Sequence, residues 1–161
     1  MTSIIFSGFS ALLLLACYYD IMQLRIPNVL SLLLLGLFGL RYLLDEMRDG
    51  LSDHLLGMLI AFVILFPLFA YRLLGGGDVK LMTVSALWVG MPLLLEFFFS
   101  TAVIGGIVAG LFLLARLAVD GGNNPDRLPA SLRKGAAIPY GIPIALSAWL
   151  LGLGNLATMR A

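Results

Sequence analysis

Charge is what this chain most lacks. Only 12% of its 161 residues are charged, about half the share in an ordinary soluble domain. Ten basic residues against nine acidic ones leave a net charge of +1. No polycationic surface exists to hold phosphate backbones, which excludes a nucleic-acid binder. The single cysteine, Cys17, excludes an internal disulfide and any paired-cysteine zinc site, and neither a metal nor a cofactor is expected. What is abundant is apolar: 61% of residues are hydrophobic and the mean hydropathy is +1.04. A soluble globular enzyme and a disordered chain are both excluded by that balance.

A membrane crossing needs about 20 apolar residues, so the chain has room for about six. The apolar runs are about Ile4 to Tyr19, Val29 to Leu44, Leu55 to Tyr71, two runs within Leu81 to Ala115, and Ala136 to Ala157. Charge clusters, glycine and proline separate them: Asp45 to Gly50, Arg72 to Lys80, and the polar loop Asp120 to Asp126. The long fourth and fifth runs are expected to turn between Gly90 and Glu96, where Met91-Pro92 breaks a helix. The strands of a barrel would alternate apolar and polar, and these runs do not. The expected fold is all-α: one integral-membrane domain over residues 1–161 with about six transmembrane helices. Leu14-Leu15-Ala16-Cys17 loosely resembles a lipoprotein cleavage box, but no Lys or Arg precedes it, so the run reads as a span.

Counting basic residues orients the chain. With the first terminus outside, the inner segments hold Arg25, Arg72, Lys80, Arg116, Arg127, Arg133 and Lys134, and the outer ones Arg41, Arg48 and Arg160. That satisfies the positive-inside rule with both termini outside. Asp20 closes the first span and Asp78 follows the third, so two crossings separate them and they share one face, the cytoplasmic one. Two neighbouring carboxyls do not ionise together easily and share a proton over much of the pH range. One then serves as a base for water and the other as an acid for a peptide carbonyl. Taken singly, Asp20 merely ends a helix and Asp78 caps one after a glycine turn. The run Gly75-Gly76-Gly77 before Asp78 favours the chemical reading. It permits backbone conformations closed to other residues and lets another chain approach closely. A phosphate loop would need Gly-Lys-Ser or Gly-Lys-Thr, and Lys80 is followed by Leu81.

These residues resemble a family. Asp20 with Arg25-Ile26-Pro27-Asn28, then Gly75-Gly76-Gly77-Asp78-Val79-Lys80, resembles the type IV prepilin peptidases, membrane aspartyl proteases with a Gly-x-Gly-Asp motif. Ile138-Pro139-Tyr140-Gly141-Ile142-Pro143 is similar to that family's Pro-Tyr-Gly element at the start of the last span. The resemblance runs over about residues 18 to 145. It implies that Asp20 and Asp78 are the catalytic pair and that Gly75 and Gly77 are the motif's flexible glycines. The activity it implies is removal of the short leader of pilin-like precursors at the cytoplasmic face of the plasma membrane. Larger members add a domain with paired Cys-x-x-Cys elements and methylate the new N-terminus. With one cysteine this chain is not expected to methylate, and its size resembles the short peptidases of tight-adherence (Flp-type) pili. Archaeal preflagellin peptidases are a neighbouring alternative. A non-enzymatic rival, a proton-linked carrier or channel subunit, is disfavoured because its acids would lie near the midplane.

Gly76, Lys80, Pro27, Asn28 and Tyr140 are candidate substrate-binding or supporting residues. Lys80 also reads as an interface anchor and Tyr140 as part of an aromatic belt. His54 is expected in a solvated outer loop and Glu96 at the outer turn. Gly105, Gly106 and Gly110 are expected to pack helices closely, and Phe97-Phe98-Phe99 to face lipid. A pilin-like precursor and the bilayer are the expected partners.

Overall fold

In the computed structural model, residues 2–44, 50–118, 128–133 and 135–158 are described. Asp45 to Asp49, the loop Asp120 to Asp126, and Arg127, Lys134 and Arg160 of the charge count lie outside them. Six α-helices run through the described residues: α1 (Thr2–Gln23), α2 (Asn28–Leu44), α3 (Leu51–Ala70), α4 (Gly76–Val89), α5 (Leu94–Ala118) and α6 (Gly141–Thr158). There is no strand among them. This is an all-α membrane protein. By length and composition, three segments suffice to cross a membrane: Ile4–Gln23, Leu51–Ala70 and Met91–Leu117. Asn28–Leu44 and Gly141–Gly152 are shorter apolar helices.

The 14 residues of α4 extend for only about 21 Å at 1.5 Å per residue, short of the roughly 30 Å hydrocarbon core. Its surroundings account for that. It packs against α3, α6 and α2, and Val79, Leu81, Met82, Ser85, Ala86, Leu87, Trp88 and Val89 are buried. A helix enclosed by protein need not match the lipid by itself. Outside this centre, α1 packs on α6 and α2, and α5 on α6. The exposed leucines, such as Leu14, Leu33, Leu111 and Leu114, form the apolar exterior that lipid requires.

Along the helices, the expectations for His54, for Phe97-Phe98-Phe99 and for the α5 glycines need correction. The turn between the fourth and fifth runs is where proline and glycine predict it: α4 ends at Val89, Gly90 takes φ 81°, and a 3-10 turn Met91–Leu93 leads into α5. Glu96 lies exposed in the first turn of α5. His54, however, sits in α3 and is not a solvated loop residue. Its Nδ1–H donates to the Leu87 carbonyl at 2.7 Å, one of the last carbonyls of α4, which have no partner within their own helix. Phe97-Phe98-Phe99 is not lipid-facing as a run. A helix turns about 100° per residue, so Phe97 is fully buried, Phe98 packs partly on the core and Phe99 is exposed. Of the three α5 glycines, only Gly105 is tightly packed, its absent Cβ lying 3.3 Å from the Tyr140 ring; Gly106 and Gly110 have nothing within 4 Å.

The end of α4 remote from Asp78 is held by Trp88. Its ring stacks on Phe9 at 4.3 Å between centroids and meets Phe38 edge-on at 5.5 Å. Its Nε1–H donates to the Leu34 carbonyl at 3.1 Å, and the Arg41 guanidinium lies 5.7 Å from the ring centre. One side chain thereby joins α1, α2 and α4. Replacing the fully buried Phe9 with Ala should leave a cavity beneath Trp88 that costs about 3 kcal/mol or more. Thermal unfolding of the detergent-solubilised variant measures it, and an unchanged midpoint would contradict the packing described.

Candidate active site

Helix α1 ends on a residue in the left-handed region. Leu24 has φ 52° and its N–H donates to the Asp20 carbonyl at 2.9 Å, an αL termination in a place that usually holds glycine. That conformation costs an L-residue roughly 1–2 kcal/mol. It turns the chain so that Leu24, Arg25 and Ile26 lie along a cavity and Pro27 leads into α2. Pro27 offers its carbonyl to the Leu30 N–H at 3.1 Å. Helix α3 ends comparably at Arg72 (φ 60°). There the Leu73 N–H bonds the Leu68 carbonyl and the Arg72 N–H bonds that of Phe69, at 2.8 and 2.9 Å, the paired bonds of a Schellman termination. This delivers Gly75 to the start of α4.

Between these two turns lies a cavity of about 410 Å³. Its lining includes Asp20, Arg25, Gly75, Gly76, Gly77 and Asp78, with Ala137 and Ile138 as the opposite wall. A second, apolar cavity of about 580 Å³ between α1 and α6 contains Cys17 and Trp149 and no carboxyl. The two aspartates, distant in sequence, share the first cavity. Lys80, Asn28, Pro27 and Tyr140 are not part of its lining. Lys80 Nζ donates to Asn28 Oδ1 at 2.9 Å, tying α4 to α2, and Tyr140 lies against Gly105.

Each carboxyl lies against a glycine. Asp20, 4% exposed, accepts the Gly141 N–H through Oδ2 at 2.6 Å. Asp78 lies beside the Gly75 N–H, which favours its charged form. Gly75 is the N-cap of α4, so Asp78 is its third helical residue and reaches back as the acid of a capping box does; it is not the cap itself. A side chain at either glycine would collide with the acid it serves. A Cβ on Gly141 would lie 2.8 Å from Asp20 Oδ2, and one on Gly75 would lie 2.8 Å from Asp78 Oδ2.

The glycine triplet does not use conformations closed to other residues. Gly75 is extended, with φ −69° and ψ 143°, and the positive-φ glycines among the described residues are Gly50, Gly90 and Gly135. Close approach explains the triplet instead. Gly77 packs on Ile26, whose Cβ and N lie 3.2 and 3.4 Å from where a Cβ would be. Gly76 faces only the ring of the half-exposed Phe69, at 3.1 Å.

Asp78 precedes the apolar stretch that begins at Leu81, at the end of α4 that opens on the cavity. Burial pushes its carboxyl up to about 7, the charge of Asp20 adds to the rise, and the Gly75 N–H opposes it. Near neutral pH this group therefore holds a proton for a substantial part of the time. Among the described residues no cluster of His, Cys, Asp or Glu could hold a metal ion.

Residues 7–110 match the sequence profile of the type IV leader peptidase family. The chain belongs to that family. It is therefore a membrane protein of a protease family, and the matched region includes both aspartates and the glycine triplet. None of the curated proteins and none of the solved structures matches it. The Pro-Tyr-Gly segment lies beyond the matched region, yet it supplies the N–H that holds Asp20. The structure adds Gly141 and Arg25 to the candidate residues that the sequence indicates. The sequence signal for Gly141 is its place in that segment, whereas Arg25 carries no signal beyond its place before Ile26-Pro27-Asn28.

The glycine geometry yields a comparison. Gly77→Ala must displace backbone and Cβ atoms of Ile26, and overpacking of that kind costs about 1–3 kcal/mol. Gly76→Ala asks only that an exposed ring swing aside. Thermal midpoints should fall clearly for Gly77→Ala and little for Gly76→Ala; equal losses would refute the packing argument.

Proposed function

We propose that this protein is an aspartyl endopeptidase that removes the short leader of pilin-like precursors at the cytoplasmic face of the plasma membrane. The observation that carries the reading is the pair of carboxyls, Asp20 and Asp78, lining one cavity of about 410 Å³ from helices distant in sequence. Membership of the leader peptidase family supports the substrate class. The single cysteine leaves no paired Cys-x-x-Cys element in this sequence, which supports cleavage of an Flp-type precursor without methylation.

The chemistry follows from the two environments. Asp78, with its pKa near 7, is the acid: its proton goes to the oxygen of the scissile carbonyl as the tetrahedral centre forms. Asp20 is the base that takes a proton from the attacking water. The Gly141 N–H keeps the Asp20 carboxyl oriented through the step. As the centre collapses, the carbon–nitrogen bond breaks, the proton that Asp20 took from water passes to the leaving amine, and Asp78 takes back a hydroxyl proton as the new carboxyl forms. Gly75, Gly76 and Gly77 leave the cavity floor without side chains, so an extended peptide backbone can lie against it. Lys80, Asn28, Pro27 and Tyr140 support the site by fixing the turns and helix starts around it.

Two results test this. A pilin precursor co-expressed with the parent should shift to its mature size, and with Asp20→Asn or Asp78→Asn it should not. Losses of at least about a thousandfold are expected where one member of a catalytic unit is removed. Both variants must reach the membrane in normal amounts for the comparison to count, and cutting by either would sink the pairing. The pH dependence has a definite sign. The raised pKa keeps Asp78 protonated below about 7, so cleavage should persist below neutrality and fall as pH rises through it. The decline should approach about tenfold per pH unit once the acid is mostly ionised. A rate that instead climbs steadily between pH 7 and 9 would contradict Asp78 as the acid.

A further inference from the structure

Arg116 lies in the last turn of α5, a place where a cation commonly interacts with its own helix end. Here it bonds another segment. Its Nε and one terminal nitrogen donate to the Ser131 carbonyl at 2.9 and 2.6 Å, and the same terminal nitrogen donates to the Ala137 carbonyl at 2.8 Å. Those two carbonyls bracket the stretch that leads into α6. Ser131 is fully buried in a 3-10 turn, Ala130–Leu132, that packs on α1 and α5. Ala137 is itself part of the cavity wall, with Ile138 beside it. Pro139, fully buried, follows, and Gly141 then offers its N–H to Asp20.

The path from Ala137 to Gly141 is short and stiff. Proline fixes one of its backbone angles, and the Tyr140 ring is seated on Gly105 of α5. A shift at Ala137 therefore reaches both the wall and the N–H that orients the acid. The guanidinium suits this task because its donors sit in a rigid planar fork that can bridge two carbonyls, whereas an ammonium is a point donor.

We propose that Arg116 is a positioning residue of the candidate site, a strap across the Ser131 and Ala137 carbonyls that holds the Ala137–Ile138 wall and the Gly141 N–H in register with Asp20. The inference rests on the peptidase reading only for its cleavage readout.

The test uses the full chain in lipid nanodiscs as parent, Arg116→Ala and Arg116→Lys. Amide hydrogen exchange is followed alongside cleavage of a purified pilin precursor that carries its leader. A hydrogen bond to a charged group contributes about 1.5–3 kcal/mol, so in Arg116→Ala exchange over residues 131–138 should speed up by about tenfold or more. Protection in α1 to α4 should stay as in the parent, and kcat/KM should fall by a similar factor. Arg116→Lys, able to reach one carbonyl, should recover part of both. Unchanged exchange over 131–138 would overturn the proposal. So would a rise spread evenly over all helices, or a loosened segment with undiminished cleavage. If the parent itself does not cut the precursor, the peptidase reading falls and the exchange result alone decides the strap.

Discussion

The hydrogen bond from the Gly141 N–H to the Asp20 carboxyl, 2.6 Å long, is the contact on which the arrangement depends. It joins the end of the first helix to the beginning of the last. A buried carboxyl with no partner would be expensive in this setting, because desolvation penalises charge and nearby lipid offers no compensation. The protein meets that cost with a backbone donor at a helix start, where N–H groups have no partner within their own helix. Such closeness requires glycine, since any Cβ would overlap the carboxyl. Asp78 lies against Gly75 with a similar closeness. Asp20 is thus held by a main-chain donor, and both acids line the cavity.

A second constraint comes from α4. It is too short to cross the hydrocarbon unaided and is enclosed by α2, α3 and α6, so its ends are set by protein contacts. At one end Trp88 and the His54 bond to Leu87 hold it against its neighbours; at the other Lys80 ties it to Asn28. Asp78 is consequently carried by a helix largely enclosed by its neighbours. That fixes the acid by packing against its neighbours, which in a membrane depends on close contact more than on the exclusion of water. The left-handed Leu24 and Arg72 have a related role. Neither is a residue that favours that conformation, and both stand where a helix must stop abruptly for the chain to reach the cavity.

Much of this was legible from residue order. Low charge and long apolar runs determine an all-α membrane protein, since only helices satisfy every backbone group within one lipid-facing segment. Met91-Pro92 marks the turn before α5 because proline cannot continue a helix interior. Parity of crossings sets Asp20 and Asp78 at one face, and the glycine triplet before Asp78 marks a place of close approach. Other features depend on which helices become neighbours. His54 reads as a polar loop residue until α3 lies beside the open carbonyls of α4. The three consecutive phenylalanines read alike until the helix divides them among faces. Gly141 could be any helix-starting glycine until α6 is packed against α1, and Arg116 could be any basic residue at a membrane face until its loop folds back. Composition and periodicity report each segment's own preference for lipid or water. The hydrogen-bond partners of Asp20 and Arg116 come from segments far along the chain, and only the packing of the bundle brings them within reach.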